Sequence, residues 1–209
     1  MKKLYLTSSV HKVASRIAKD FDLKNGKNKL VFVTTATEDK EHDSSWVTND
    51  RNSLIKAGFE VADYTIAGKK ADEIRAFMND YDFIYIEGGN TFYLLEKSQQ
   101  SGFMEIIRDL ILKDEKIYIG TSAGSIIAGK DTYPTLRLDD ASLAPNLKGY
   151  DGYGLVDFTI LPHWGSKSFK ELYLNRRLEH AYEGNSQLIL LRDNQYIEVK
   201  DDWYQIVEV

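Results

Sequence analysis

Apolar residues occur along this chain in two spacings that take turns. Short continuous runs cover Leu4 to Ser8, Leu30 to Ala36, Phe59 to Ile66, Tyr81 to Glu87, Lys116 to Gly120 and Leu155 to Leu161. Such short runs, apolar at nearly every position, predict strands buried on both faces. Between them the spacing becomes helical: Val13, Ile17 and Phe21 share one side of a helix predicted from Val10 to Phe21. Further helices are predicted over Trp46–Ala57, stopped by Gly58, and over Ala71–Met78, Phe92–Gln99 and Phe103–Lys113. A last one is predicted over Ser168–Tyr182, with Phe169, Leu172, Tyr173 and Arg176 along one side.

Strands alternating with helices predict an α/β fold, a doubly wound and mostly parallel sheet flanked by helices. Three closing runs, Gln187–Leu191, Tyr196–Lys200 and Trp203–Val209, are separated by turn residues at Asp193-Asn194 and Asp201-Asp202. They predict antiparallel strands at the C-terminal end. The pattern lapses between Lys130 and Gly154, a stretch holding Pro134, Pro145, Asp131, Asp139, Asp140 and Asp151. A connection of that length is usually functional or partly structured.

Composition narrows the function classes. A chain of 209 residues, 43% of them hydrophobic, suits a single domain over 1–209. The net charge is -5 with the acidic residues scattered, which argues against a nucleic-acid partner. There is no cysteine, which excludes disulfides, a thiolate nucleophile and a thiolate zinc site. The first residues lack the roughly 7–15-residue apolar core of a signal peptide, and no later run reaches the ~20 apolar residues of a membrane span. The expectation is a cytoplasmic protein without a membrane partner. The polar loop Thr37 to Ser45 holds Glu38, Asp39, Glu41, His42 and Asp43 but reads as solvated, so no metal or other cofactor is expected.

The candidate chemistry lies where apolar runs end. Lys116 to Gly120 leads into Gly120-Thr121-Ser122-Ala123-Gly124, a strand, sharp turn and helix start with Ser122 at the apex. A serine hydroxyl is a weak nucleophile without an adjacent base. His163 follows the strand Leu155–Leu161 directly after Pro162, whereas His11 and His180 fall on predicted helices and His42 in the polar loop. Gly88-Gly89 follows another strand and precedes a helix that Asn90 or Thr91 can cap. A backbone N–H from that glycine pair, with the N–H of Ala123, would form an oxyanion hole. In open α/β sheets sites form beyond the carboxyl ends of strands, where all three features are expected.

Gly88-Gly89-Asn90-Thr91-Phe92, Gly120-Thr121-Ser122-Ala123-Gly124 and Leu161-Pro162-His163, in this order, resemble the dipeptidase E (α-aspartyl dipeptidase) family of serine peptidases, with cyanophycinase a more distant relative. The resemblance spans nearly the whole chain and implies a fold similar to class I glutamine amidotransferases, with serine in place of cysteine. It implies Ser122 as nucleophile, His163 as general base, Gly88, Gly89 and Ala123 around the oxyanion, and Asn90 and Thr91 beside the substrate. The family's acid lies between nucleophile and histidine, where this chain has Asp139 and Asp140; Asp140 is preferred. Asp157, within the preceding strand, and Asp193, near another strand end, are remote alternatives. A cation for a substrate aspartate would come from the helix after His163, where Arg176 and Arg177 stand near the expected place. The expected activity is hydrolysis of dipeptides or short peptides through an acyl-enzyme, by a monomer or homodimer. The alternatives are another small amide or ester as substrate, or a non-catalytic binding relative.

Overall fold

In each of the predicted inner strands, successive side chains point to opposite faces of the sheet, and both faces are covered. The computed structural model describes residues 1–23, 26–38, 45–136, 139–177 and 187–209. Strands β1 (Lys3–Thr7), β2 (Lys29–Val33), β3 (Glu60–Tyr64), β4 (Phe83–Ile86) and β5 (Ile117–Thr121) run parallel, and β8 (Gln195–Lys200) and β9 (Trp203–Glu208) close the sheet antiparallel. The order across the seven strands is β3-β2-β4-β5-β1-β8-β9. Tyr5, Leu30, Phe32, Phe83, Tyr85 and Ile119 join one core with Val10, Val13 and Ile17 of α1 (Val10–Ile17) and Leu54 of α2 (Ser45–Ala57). Their strand neighbours Leu4, Leu6, Val31, Val33, Ile84, Ile86 and Tyr118 join the other, against α3 (Ala71–Met78), α4 (Thr91–Ser101) and α5 (Phe103–Leu112). That period of two, with apolar partners on both sides, is why the runs are apolar at nearly every position.

Two remaining strands, β6 (Phe158–Leu161) and β7 (Gln187–Leu190), form a separate parallel ribbon in which Leu161 faces Leu190. This corrects the expectation that Gln187–Leu191 belongs to the antiparallel closing set. Asp193-Asn194 therefore joins strands of two different sheets and makes no hairpin, whereas Asp201-Asp202 does join β8 to β9. A turn signal marks where the chain bends but not which strands pair. The stretch Lys130 to Gly154 is partly structured: Tyr133–Thr135 and Ala141–Leu143 are short helical turns, and Asp131 bridges Asp151. The helix predicted over Ser168–Tyr182 begins as turns over Lys167–Phe169, Lys170–Leu172 and Tyr173–Arg177. Its remainder, with His180, lies outside the described residues, as does most of the polar loop with His42. Among the described residues, no helix is long and apolar enough to cross a membrane.

The sheet order sets the geometry that matters for function. β4, β5 and β1 are neighbours at its centre, so their carboxyl ends bring Gly88-Gly89, Ser122 and Ser8 side by side.

Candidate active site

Ser122 stands between β5 and α6 (Ala123–Ile126) with φ 47° and ψ −111°, a conformation that costs a side-chain-bearing residue about 1–3 kcal/mol. Its backbone is held from both sides. The N–H donates to the Thr7 carbonyl at 3.0 Å, and the carbonyl accepts from the N–H groups of Ser125 and Ile126 at 2.9 and 3.0 Å. Gly124 lets the turn close: a Cβ there would lie 2.1 Å from the Ile86 carbonyl oxygen, so only glycine allows α6 to press onto β4.

His163 follows β6, also at positive φ (60°). Its backbone N–H donates to Ser8 Oγ at 2.7 Å, and its ring stacks on Phe169 with centroids 4.4 Å apart. Nε2 lies 3.0 Å from Ser122 Oγ, and Nδ1 lies 2.7 Å from Asp193 Oδ1. Asp193 reaches this place because the β6–β7 pairing continues past the strands: Leu191 N–H donates to the Leu161 carbonyl and Trp164 N–H to the Leu191 carbonyl, each at 3.0 Å. Ser8 Oγ also donates to Asp193 Oδ1 at 2.9 Å, and Lys12 Nζ is 3.5 Å from Oδ2. The His163 hydrogen bond, helped by Ser8 and the Lys12 charge, holds the Asp193 carboxyl well below the usual carboxylate range despite partial burial. With Asp193 ionised, Nδ1 carries the ring proton and Nε2 is left to accept from the Ser122 hydroxyl.

Neither aspartate expected as the acid touches His163, and the reason is local. Asp139 Oδ2 accepts the Thr91 N–H at 2.9 Å at the start of α4, and Asp140 Oδ1 accepts the Ser142 N–H at 2.9 Å. Short carboxylates in turns satisfy nearby backbone donors, and these bonds hold the Asp140 carboxyl below its ordinary value. Asn90 is likewise committed to the fold: its Oδ1 accepts the N–H groups of Phe92 and Tyr93, and its Nδ2 donates to the Asp140 carbonyl. Thr91 is fully buried. Asp157 is exposed before β6. The side chains of Arg176 and Arg177 lie outside what the structure describes.

The glycine pair abuts Ser122: a Cβ on Gly88 would lie 3.2 Å from Ser122 Cβ. Gly89, at φ 138°, passes so close to the Ala36 carbonyl that a Cβ would lie 2.1 Å from its oxygen. The Gly88 N–H, expected to face an oxyanion, instead donates to Glu87 Oε1 at 2.6 Å. The N–H groups of Gly89 and Ala123 meet no acceptor among the described residues.

Above these groups opens a cavity of about 350 Å³, walled by Trp46 and Phe169 and reaching Ser122 and His163. Its polar wall holds His11, Asp50 and Glu87, none of which the sequence pattern marked. Asp50 Oδ1 lies 2.7 Å from His11 Nδ1, and Tyr85 donates its hydroxyl to Glu87 Oε2 at 3.2 Å. Burial pushes the Asp50 carboxyl up despite His11. Burial and then the neighbouring Asp50 push Glu87 up further, well above the carboxylate range. Glu87 ends an apolar run and Asp50 sits within the helix predicted over Trp46–Ala57, and neither position carries a pattern that marks a site.

Residues 4–207 match the sequence profile of Peptidase family S51. An uncharacterized peptidase of Listeria monocytogenes is 32% identical over 200 residues, 96% of this chain and 95% of the relative. Peptidase E of Streptomyces coelicolor is 27% identical over 179 residues, 83% of this chain and 69% of the relative. A crystal structure of a Listeria monocytogenes protein assigned to peptidase E superposes with a TM-score of 0.89 at 30% identity, covering 100% of this chain and 99% of the other.

Proposed function

The chain belongs to peptidase family S51, and from that premise we propose that it is a serine peptidase cleaving dipeptides or short peptides through an acyl-enzyme on Ser122. The observation that carries this reading is the unbroken line Ser122 Oγ, His163 Nε2, His163 Nδ1, Asp193 Oδ1, with contacts of 3.0 and 2.7 Å. As Ser122 Oγ bonds to the scissile carbonyl carbon, His163 Nε2 takes the hydroxyl proton. The carbonyl oxygen becomes an oxyanion facing the N–H groups of Gly89 and Ala123, the latter at the start of α6. Collapse breaks the C–N bond, and His163 returns the proton to the leaving amine. Water then attacks the ester by the same route and frees Ser122. Asp193 keeps the proton on Nδ1 and stabilises the imidazolium without taking the proton itself.

The substrate's first residue would enter the cavity beside His11, Asp50 and Glu87. With the Asp50 and Glu87 carboxyls pushed toward their neutral forms, that wall favours a neutral side chain over aspartate. The test is hydrolysis of matched Asp-Xaa, Asn-Xaa and Lys-Xaa dipeptides by wild type and Ser122→Ala. Turnover by wild type alone is the expected result. Equal turnover by both proteins on every substrate would remove the serine-peptidase reading.

A further inference from the structure

Glu87 is fully buried, carries an ionisable group, and plays no part in the proton path just described. Its carboxyl reaches forward onto the backbone of the next residue, where Oε1 accepts the Gly88 N–H at 2.6 Å. Its own N–H donates to the Val33 carbonyl at 3.0 Å, which anchors the start of the turn in the sheet. The Asn90 N–H donates to the Ala36 carbonyl at 2.8 Å, which anchors the end. Between these anchors lie two glycines, the residues least able to fix their own peptide planes. Among the described residues, the acceptor that holds the Gly88 N–H is the Glu87 side chain.

We propose that Glu87 is a positioning residue for the oxyanion site: by holding the Gly88 N–H it fixes the turn that presents the Gly89 N–H beside Ser122. The inference rests on the serine-peptidase reading. The groups facing Glu87 are Asp50 from α2, itself paired with His11 from α1, and Tyr85 from its own strand, whose hydroxyl also lies near Asp50. Burial and the Asp50 carboxyl favour the neutral acid. A neutral Glu87 still accepts from Gly88 through Oε1, with Oε2 against the Tyr85 hydroxyl and beside the Asp50 carboxyl. A glutamine whose carbonyl oxygen takes the place of Oε1 keeps the bond to the Gly88 N–H, and its amide can donate toward Asp50.

The test compares two near-isosteres. Glu87→Met fills the same space without an acceptor, and Glu87→Gln keeps one. Loss of a single oxyanion donor lowers kcat on the order of 100- to 1000-fold. Glu87→Met is expected to lower kcat at least about tenfold with KM within about threefold, and Glu87→Gln to recover most of the rate. Should Glu87→Met not fold, Glu87→Asp withdraws the acceptor by one methylene and is expected to lose kcat in the same way. Unchanged kcat in the folded Met or Asp variant, equal losses in Met and Gln, or a change confined to KM would each overturn the proposal.

Labelling by a fluorophosphonate separates this inference from the peptidase reading. In that reaction Ser122 Oγ bonds to phosphorus, the P–F bond breaks, fluoride leaves, and His163 takes the hydroxyl proton. The phosphonyl oxygen needs the same donors as a peptide oxyanion. If no dipeptide is cleaved but labelling slows in Glu87→Met and recovers in Glu87→Gln, the peptidase reading falls and the positioning role stands. Equal labelling of all three proteins, or none at Ser122, overturns it.

Discussion

Two histidine–aspartate pairs flank one cavity with the same 2.7 Å contact between Nδ1 and carboxylate, yet their carboxyls are driven in opposite directions. Asp193 is pulled below the ordinary carboxylate range and Asp50 is pushed above it. The partner is the same, so the surroundings decide. The Asp193 side chain is 27% exposed and receives Ser8 and Lys12 in addition to His163. The Asp50 side chain is 5% exposed and lies against a second carboxyl, Glu87. Like charges in a dry site cannot both ionise without cost. One pair is therefore suited to stabilising an imidazolium, and the other to holding a proton among acids.

The sharpest way to break this contrast is to neutralise each aspartate. Asp193→Asn is expected to lower kcat roughly 10⁴-fold, the scale for losing the group that fixes the catalytic tautomer. Asp50→Asn is expected to stay within about tenfold of wild type on the same dipeptide. Steady-state rates for both variants decide it, and equal losses would mean that the two pairs are not divided in this way.

Ser8 sharpens the comparison because its hydroxyl serves only the first pair. It accepts the His163 N–H and donates to Asp193. Hydrogen bonds to charged groups contribute about 1.5–3 kcal/mol, so Ser8→Ala is expected to lower kcat about tenfold or more while melting remains cooperative. A rate equal to wild type would show that the pair aligns without it.

Stability against pH reads the second pair. A carboxyl whose folded pKa is raised binds more protons in the folded than in the unfolded state, so stability falls as pH rises above about 4.3, the ordinary glutamate value. Glu87→Gln has no such proton to lose. The melting temperature of wild type should therefore fall relative to the variant on going from pH 4 to pH 8. Asp193 acts in the opposite sense, its contribution lost only as acid protonates it below the ordinary aspartate range. Parallel melting curves for wild type and Glu87→Gln would show that Glu87 is not held neutral. The smallest effect belongs to Lys12, 46% exposed and 3.5 Å from Asp193. Lys12→Ala is expected to cost under about 1 kcal/mol of stability, shrinking further in salt.

The same comparison explains what the sequence disclosed. The bend at Ser122 was legible because a continuous apolar run must end before a residue flanked by glycines, and Gly124 is required by a close approach to β4. His163 was legible as a histidine placed directly past another such run. The carboxylate against it was not. Asp193 meets His163 only because β7 pairs with β6, a contact that no local pattern encodes, and its dipeptide with Asn194 resembles a hairpin turn. Asp139 and Asp140 stood nearer the expected segment, but short side chains in turns bind the nearest N–H. Asp50 and Glu87 were hidden for a related reason: burial of a polar residue at the end of an apolar run depends on what folds over it.

The β6–β7 ribbon has a consequence for inheritance and engineering. The proposed base and acid, His163 and Asp193, are carried on one two-stranded piece, while Ser122 follows the main sheet and Ser8 links the two. Among the described residues the 130–154 connection supplies neither partner of the histidine, so outside Asp139 and Asp140, which bind the start of α4, its composition can drift while the reacting atoms keep their spacing. Variation among relatives should accordingly gather in that connection, and a transplanted ribbon should carry its histidine and aspartate as a matched unit.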